Sequence, residues 1–148
     1  MEQIRLVDIP GQEFPAGRRT RVLVGPGSPV SAERFVLGYV TVHPGGAVPL
    51  HAHEQEEVYL VLSGRGMMRV GGEVEPVEPV TAVHIPSGAP HELRNTGDTE
   101  MVMVFVYAPA GVVAHWAEEQ AGRLRSSGQA VPAGEPAALA RQNKDEQT

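Results

Sequence analysis

The stretch GGAVPLHAHEQEEVYLVLSG, from Gly45 to Gly64, places His51 and His53 two residues apart and Glu57 four further on. Imidazole nitrogens and carboxylate oxygens are ligands for divalent transition metals, and in an extended strand residues at even offsets share one side. Read that way, the three side chains converge on one point and form a half-site that lacks a further ligand. The competing reading is a solvated acidic loop, because Glu54, Glu56 and Glu57 are clustered and two histidines can fall close together by chance.

The rest of the chain must position those groups, and its composition narrows how. At 148 residues it has the size of one domain with its own core. It carries 17 Gly and 13 Pro with only 20% charged residues, and its apolar residues are rich in valine, a mixture that suits short strands and tight turns. The net charge of −6 argues against nucleic acid or an anionic membrane as a partner. With no cysteine, thiolate catalysis, disulfides and zinc–thiolate sites are excluded. No run is long enough to span a membrane and the first residues lack a signal-peptide core, so a soluble, cytoplasmic protein is expected.

Along the chain, residues 1–10 alternate weakly and predict a first strand ended by Pro10-Gly11. Further strands are expected over 18–25, 35–43, 57–62, 67–70, 73–77, 81–85, 91–95 and 101–107. Gly71-Gly72 makes the hairpin turn, and Phe35, Leu37, Tyr39 and Thr41 share one face. Short strands at such regular spacing predict an all-β sandwich or barrel. After Pro109 the period changes. Val113, Trp116, Ala117, Ala121 and Leu124 recur at three- and four-residue steps, predicting a helix over 112–124 that packs Trp116 on the barrel's outside or over its mouth. Residues 126–148 read as a mobile tail.

A second half-site lies in IPSGAPHELRN, where a turn at Pro86 and Gly88 is followed by His91, and by Asn95 placed to brace the turn. Together the candidates are His51, His53, Glu57 and His91. The spacing Gly45–x5–His51–x–His53–x3–Glu57–x6–Gly64 resembles the first motif of the cupin superfamily at every fixed position, and Pro86–x–Gly88–x2–His91–x3–Asn95 resembles the second. Five fixed letters at such spacing arise by chance on the order of once in ten million starts. The usual Gly-Asp opening of the second motif is replaced by Val80-Thr81, which puts the local turn in doubt rather than the ligand set.

The resemblance covers roughly residues 33–108. It implies a double-stranded β-helix, or jelly-roll barrel, holding one divalent transition metal (Fe, Mn, Ni, Cu or Zn), with residues 1–32 at a homodimer interface. Such a site leaves one or two metal positions open. The groups that share the complete ligand set include quercetinase-like dioxygenases, oxalate-decarboxylase-like proteins, sugar isomerases and aromatic polyketide cyclases. The expected function is a metal enzyme that oxygenates or cyclises a small phenolic, enol or polyketide-type substrate. The alternatives are a non-catalytic small-ligand binder, a decarboxylase or a sugar isomerase.

Other residues carry two readings each. Glu57 is a ligand and also a candidate base. Tyr59, at the same strand parity, either lines the cavity or is a core tyrosine. His84 is either a proton-transfer group in the pocket or a partly exposed structural histidine. Met67, Met68, Met101 and Met103 line a pocket or fill the core, and Phe105 and Tyr107 are further cavity candidates. His43 and His115 are read as surface residues.

Overall fold

The computed structural model describes residues 1–111 and 115–124, so the expected tail over 126–148 and the start of the expected helix lie outside the described residues. Eleven strands follow one another: β1 (Gln12–Phe14), β2 (Arg18–Gly25), β3 (Val30–Ser31), β4 (Val36–Val42), β5 (Ala47–His51), β6 (Glu56–Ser63), β7 (Gly66–Val70), β8 (Glu73–Val77), β9 (Thr81–Ile85), β10 (His91–Asn95) and β11 (Met101–Ala108). Among the described residues one short helix, α1 (His115–Gln120), comes after them. Among the described residues no helix is long and apolar enough to cross a membrane.

The strands form two sheets. Seven lie in one, in the order β1-β2-β4-β11-β6-β9 with the short β3 beside β2, and four lie in the other, in the order β5-β10-β7-β8. Every pairing is antiparallel except β2 with β3. The period-2 pattern decides which side faces in. Met101, Met103, Phe105 and Tyr107 of β11 are buried, as are Val36, Val40 and Val42 of β4 and Tyr59 and Val61 of β6. The face of β4 carrying Leu37, Tyr39 and Thr41 is the outer one. Ile85 and Leu93 complete the core between the sheets. Each such side chain contributes about 1.5–3 kcal/mol on leaving water.

The β7–β8 hairpin turns at Gly71-Gly72 as the sequence predicts, with Gly71 at φ 58° and Val70 paired with Glu73. Residues 1–10 differ from expectation. They form no strand but a single 3-10 turn at Leu6–Asp8. Arginines of β2 tie this segment down: Arg19 donates to the Pro10 carbonyl at 2.7 Å and Arg21 to the Ile9 carbonyl at 2.9 Å. A weak alternation in a stretch with too few apolar residues is outcompeted by these side-chain donors.

Gly38 sits inside β4 directly opposite Phe105 of β11. A Cβ there would fall inside the van der Waals envelope of the Phe105 ring carbons, so the strand carries glycine where an aromatic ring lies flat over the backbone. Gly38→Ala is expected to lower stability by about 1–3 kcal/mol through overpacking, read as a shift in urea midpoint at constant slope. An unchanged midpoint would show that the ring moves away at no cost.

Candidate metal centre

The four candidate ligands come together, but not on one strand face. His51 is the last residue of β5, His53 lies in the connection to β6, and Glu57 is the second residue of β6 in the other sheet. The chain crosses between sheets at Ala52–Gln55, and that corner, not strand periodicity, makes the three side chains converge. His91 opens β10, where it is the registered partner of His51. One potential ligand atom from each of the four lies within 4.8 Å of all the others.

Backbone contacts orient every imidazole. His51 Nδ1 donates to the Pro49 carbonyl at 2.6 Å, His53 Nδ1 to the Gln55 carbonyl at 3.0 Å, and His91 Nδ1 to the Ala89 carbonyl at 2.9 Å. A carbonyl can only accept, so each Nδ1 carries a proton and each Nε2 is turned toward the cluster, where a neutral ring would offer it to a metal. The Nε2 atoms of His53 and His91 lie 2.8 and 3.1 Å from the same Glu57 oxygen, Oε2. The Nε2 of His51 is buried with no hydrogen-bond partner among the described residues. A buried lone pair left without a partner costs free energy unless something occupies it, so the donor set fits a divalent cation.

The two halves of the site are also tied through the backbone. Gly88, at φ 77°, donates its N–H to the His53 carbonyl at 2.8 Å. Ser87 donates its hydroxyl to the Glu54 carbonyl at 2.6 Å. Asn95 braces the turn that follows it at residues 97–99, not the turn at Pro86 and Gly88 that the sequence suggested. Its amide donates to the carbonyls of Val42 at 3.0 Å and Thr99 at 2.8 Å, and its oxygen accepts from the Gly97 N–H at 2.9 Å. The Val80-Thr81 departure leaves β9 and the turn before His91 in place.

Burial and neighbours set the charges. Burial, reinforced by His115 and His91, holds His51 well below the usual imidazole range, so it is neutral. Burial works against ionisation of both His53 and Glu57, yet their mutual hydrogen bond and charge outweigh it, raising His53 and lowering Glu57, with His91 helping to lower Glu57. The cluster therefore holds a proton next to an anionic carboxylate, and a cation entering it would release that proton.

Tyr59 and His84, the other candidates, separate. Tyr59 is buried, with its ring edge-on to His91 at 5.7 Å, and burial first and Glu57 second push its hydroxyl well above the usual range. His84 takes the second of its two readings, the partly exposed histidine. It stands on the outward face of β9, 57% exposed, with Nε2 3.0 Å from Glu56 on the surface. It has the opposite parity to Ile85, the buried residue of that strand. Met68, Met101 and Met103 fill the core, and Met103 also borders the interior beside Glu57, together with Phe105 and Tyr107. His43 is at the surface as expected, paired with Glu13 and Glu100.

His115 is a correction. It is 7% exposed, and its ring stacks on His51 with centroids 3.7 Å apart. What drives it inward is α1, which packs against residues of β1, β2 and β11. Trp116 lies against Phe14 and Phe105, and Glu119 forms a fully buried ion pair with Arg18, whose guanidinium covers the Phe14 ring at 4.1 Å. Neither Arg18 nor Glu119 stands out in sequence, since strand-end arginines and helical glutamates are ordinary surface residues. The i, i+4 spacing of His115 and Glu119 was the available sign that both share a helix face.

Against this geometry, residues 38–107 match the Cupin_2 family, described as the cupin domain. The polyketide synthase CurC of Streptomyces cyaneus is 32% identical over 110 residues, covering 71% of this chain and 70% of that protein. The chain belongs to the cupin family. A 5-nitrosalicylic acid 1,2-dioxygenase of Bradyrhizobium sp is 27% identical over 103 residues, 70% of this chain but 46% of that enzyme. This chain spans about half the length of several curated relatives it matches. Among solved structures, the polyketide cyclase RemF from Streptomyces resistomycificus superposes with a TM-score of 0.63 at 24% identity, covering 83% of this chain and 92% of that one.

Burial, with Arg18, His53 and His91 adding to it, drives His115 down to about 2, against an ordinary value of 6.5. The unfolded chain thus takes up a proton that the folded chain refuses. The stability due to this neutral, docked imidazole is complete above the unfolded value and is lost as pH falls below it. The loss is roughly 1.4 kcal/mol per pH unit. His115→Phe is expected to flatten the acid limb of metal-free protein by about that slope between about pH 6 and 4, measured by urea unfolding at each pH. Parallel acid limbs in the two proteins would show that His115 is not neutral and buried.

Proposed function

We propose that this cupin is a metal-dependent enzyme that oxygenates a small phenolic, enol or polyketide-type compound or closes a ring in it, with one divalent transition metal per chain. The observation that carries the reading is the unpartnered, buried Nε2 of His51 beside the Nε2 atoms of His53 and His91 and the Glu57 carboxylate. The likeness to CurC and to the nitrosalicylate dioxygenase supports the substrate class. His51, His53, Glu57 and His91 would hold the metal, which would supply a Lewis acid for a substrate oxygen, and the donor set suits Fe, Mn, Ni, Cu or Zn.

The chain's own residues supply the rest. Glu57 already shares a proton with His53 across 2.8 Å, so a carboxylate turned off the cluster is placed to take a proton from a substrate hydroxyl or activated carbon. Tyr59 fixes the His91 ring edge and keeps water from that side. Tyr107, raised to about 12 by burial and by Glu57, stays protonated and donates its hydroxyl to the Gly111 carbonyl at 3.1 Å. His84, on the outside, has no part. The proposal includes a homodimer paired along β1, a terminal strand of the larger sheet.

Oxygen uptake and product analysis of metal-loaded protein on flavonols, enols and oxalate test this reading. Turnover is expected on a phenolic or enolic substrate, with Glu57→Gln lowering it by about 10²–10⁴-fold as for loss of a general base. Full turnover in a metal-loaded Glu57→Gln variant would remove the base role. Bound metal with no turnover on any substrate would favour a non-catalytic ligand binder.

A further inference from the structure

The interior beside the four-residue cluster is nearly full. Between Glu57, Tyr59, Phe105, Tyr107, His115 and Trp116 only about 20 Å³ is free, room for about one water. No organic ring fits there while α1 is docked. On the far side of Tyr107 and Trp116 lies a second cavity of about 480 Å³, bounded also by Val22, Pro26, Val36 and Ala117. That volume falls in the range of small-molecule sites. The same two aromatic side chains line both spaces, so they form the partition between them.

We propose that the 480 Å³ cavity is a binding site for a neutral aromatic ring system, seated against the Trp116 indole and the Tyr107 ring. Its described lining carries no charged side chain; the polar groups on it are the Ser28 and Tyr107 hydroxyls and backbone such as Gly111. Such walls reward flat apolar surface and penalise a carboxylate or ammonium, which would lose water without gaining a partner. The ring-sized space lies outside the partition and the ligand cluster inside it. A substrate therefore rests its aromatic body in the outer cavity and brings an oxygen-bearing end to Glu57 only by turning the Trp116 indole aside. This role as substrate seat rests on the metal-enzyme reading above; ring binding in the cavity does not.

Trp116 is the chain's only tryptophan, so 5-fluorotryptophan labelling gives a single fluorine resonance at the cavity wall. The probe is 1-naphthol, neutral and flat, titrated into the full-length protein with and without EDTA. A saturable shift is expected in both, with 1-naphthoate weaker by about tenfold or more, about 1.4 kcal/mol. Ala117→Phe places a ring in the cavity from an exposed position of α1, and is expected to weaken naphthol by a similar factor while leaving metal uptake unchanged. A shift that never saturates, equal affinity for naphthoate, or unaltered affinity in Ala117→Phe would overturn the proposal. Naphthol binding in a protein that takes up no metal would leave the cavity standing and remove only the metal-enzyme reading.

Discussion

Three imidazoles and a carboxylate brought within 4.8 Å of one another inside a protein are the constraint on which the rest of this structure depends. Each group gives up water, and the imidazoles repel any proton placed on their neighbours. The fold offsets this with fixed partners. Three backbone carbonyls hold the Nδ1 protons outward, and one carboxylate oxygen faces two of the Nε2 atoms. Because His51 and His91 belong to one sheet and Glu57 to the other, the site exists only when the two sheets have closed on each other. The core of Ile85, Leu93, Met103 and Phe105 that holds the sheets together thereby also sets the spacing of the ligands.

The helix α1 has six residues and could not persist alone. It is held by packing and by one ion pair. Arg18 and Glu119 are both essentially without solvent contact, so removing either would strand a buried charge, a change that costs about 3–5 kcal/mol in comparable pairs. Gln120 adds a hydrogen bond to the Glu13 carbonyl at 2.9 Å. The pair joins the first long strand to the helix after the last one, and it carries His115 onto His51.

Most of the barrel was legible because its signals are local. Valine-rich alternation, Gly71-Gly72 and the stops at Pro86 and Gly88 mark strand ends that the structure reproduces to within a residue or two. The family motifs carried the ligand set, although for a reason that strand periodicity misstates: His51, His53 and Glu57 meet at a crossover between sheets. The first ten residues and His115 were misread for one shared cause. Each depends on what packs against it from far along the chain. Arg19 and Arg21 tie down the N-terminal segment. The Arg18–Glu119 pair turns His115 inward across a separation of about a hundred residues. Periodicity reports which face a residue shares with its neighbours; it is silent on which face another element will cover.

The most direct measurement of the central claim is anomalous diffraction from crystals of the full-length protein grown with Mn2+. The expected result is one strong anomalous peak per chain bounded by the Nε2 atoms of His51, His53 and His91 and by the Glu57 carboxylate. A crystal that holds Mn2+ elsewhere, or shows no peak at this position with Glu57 still hydrogen-bonded to His53 and His91, would contradict it.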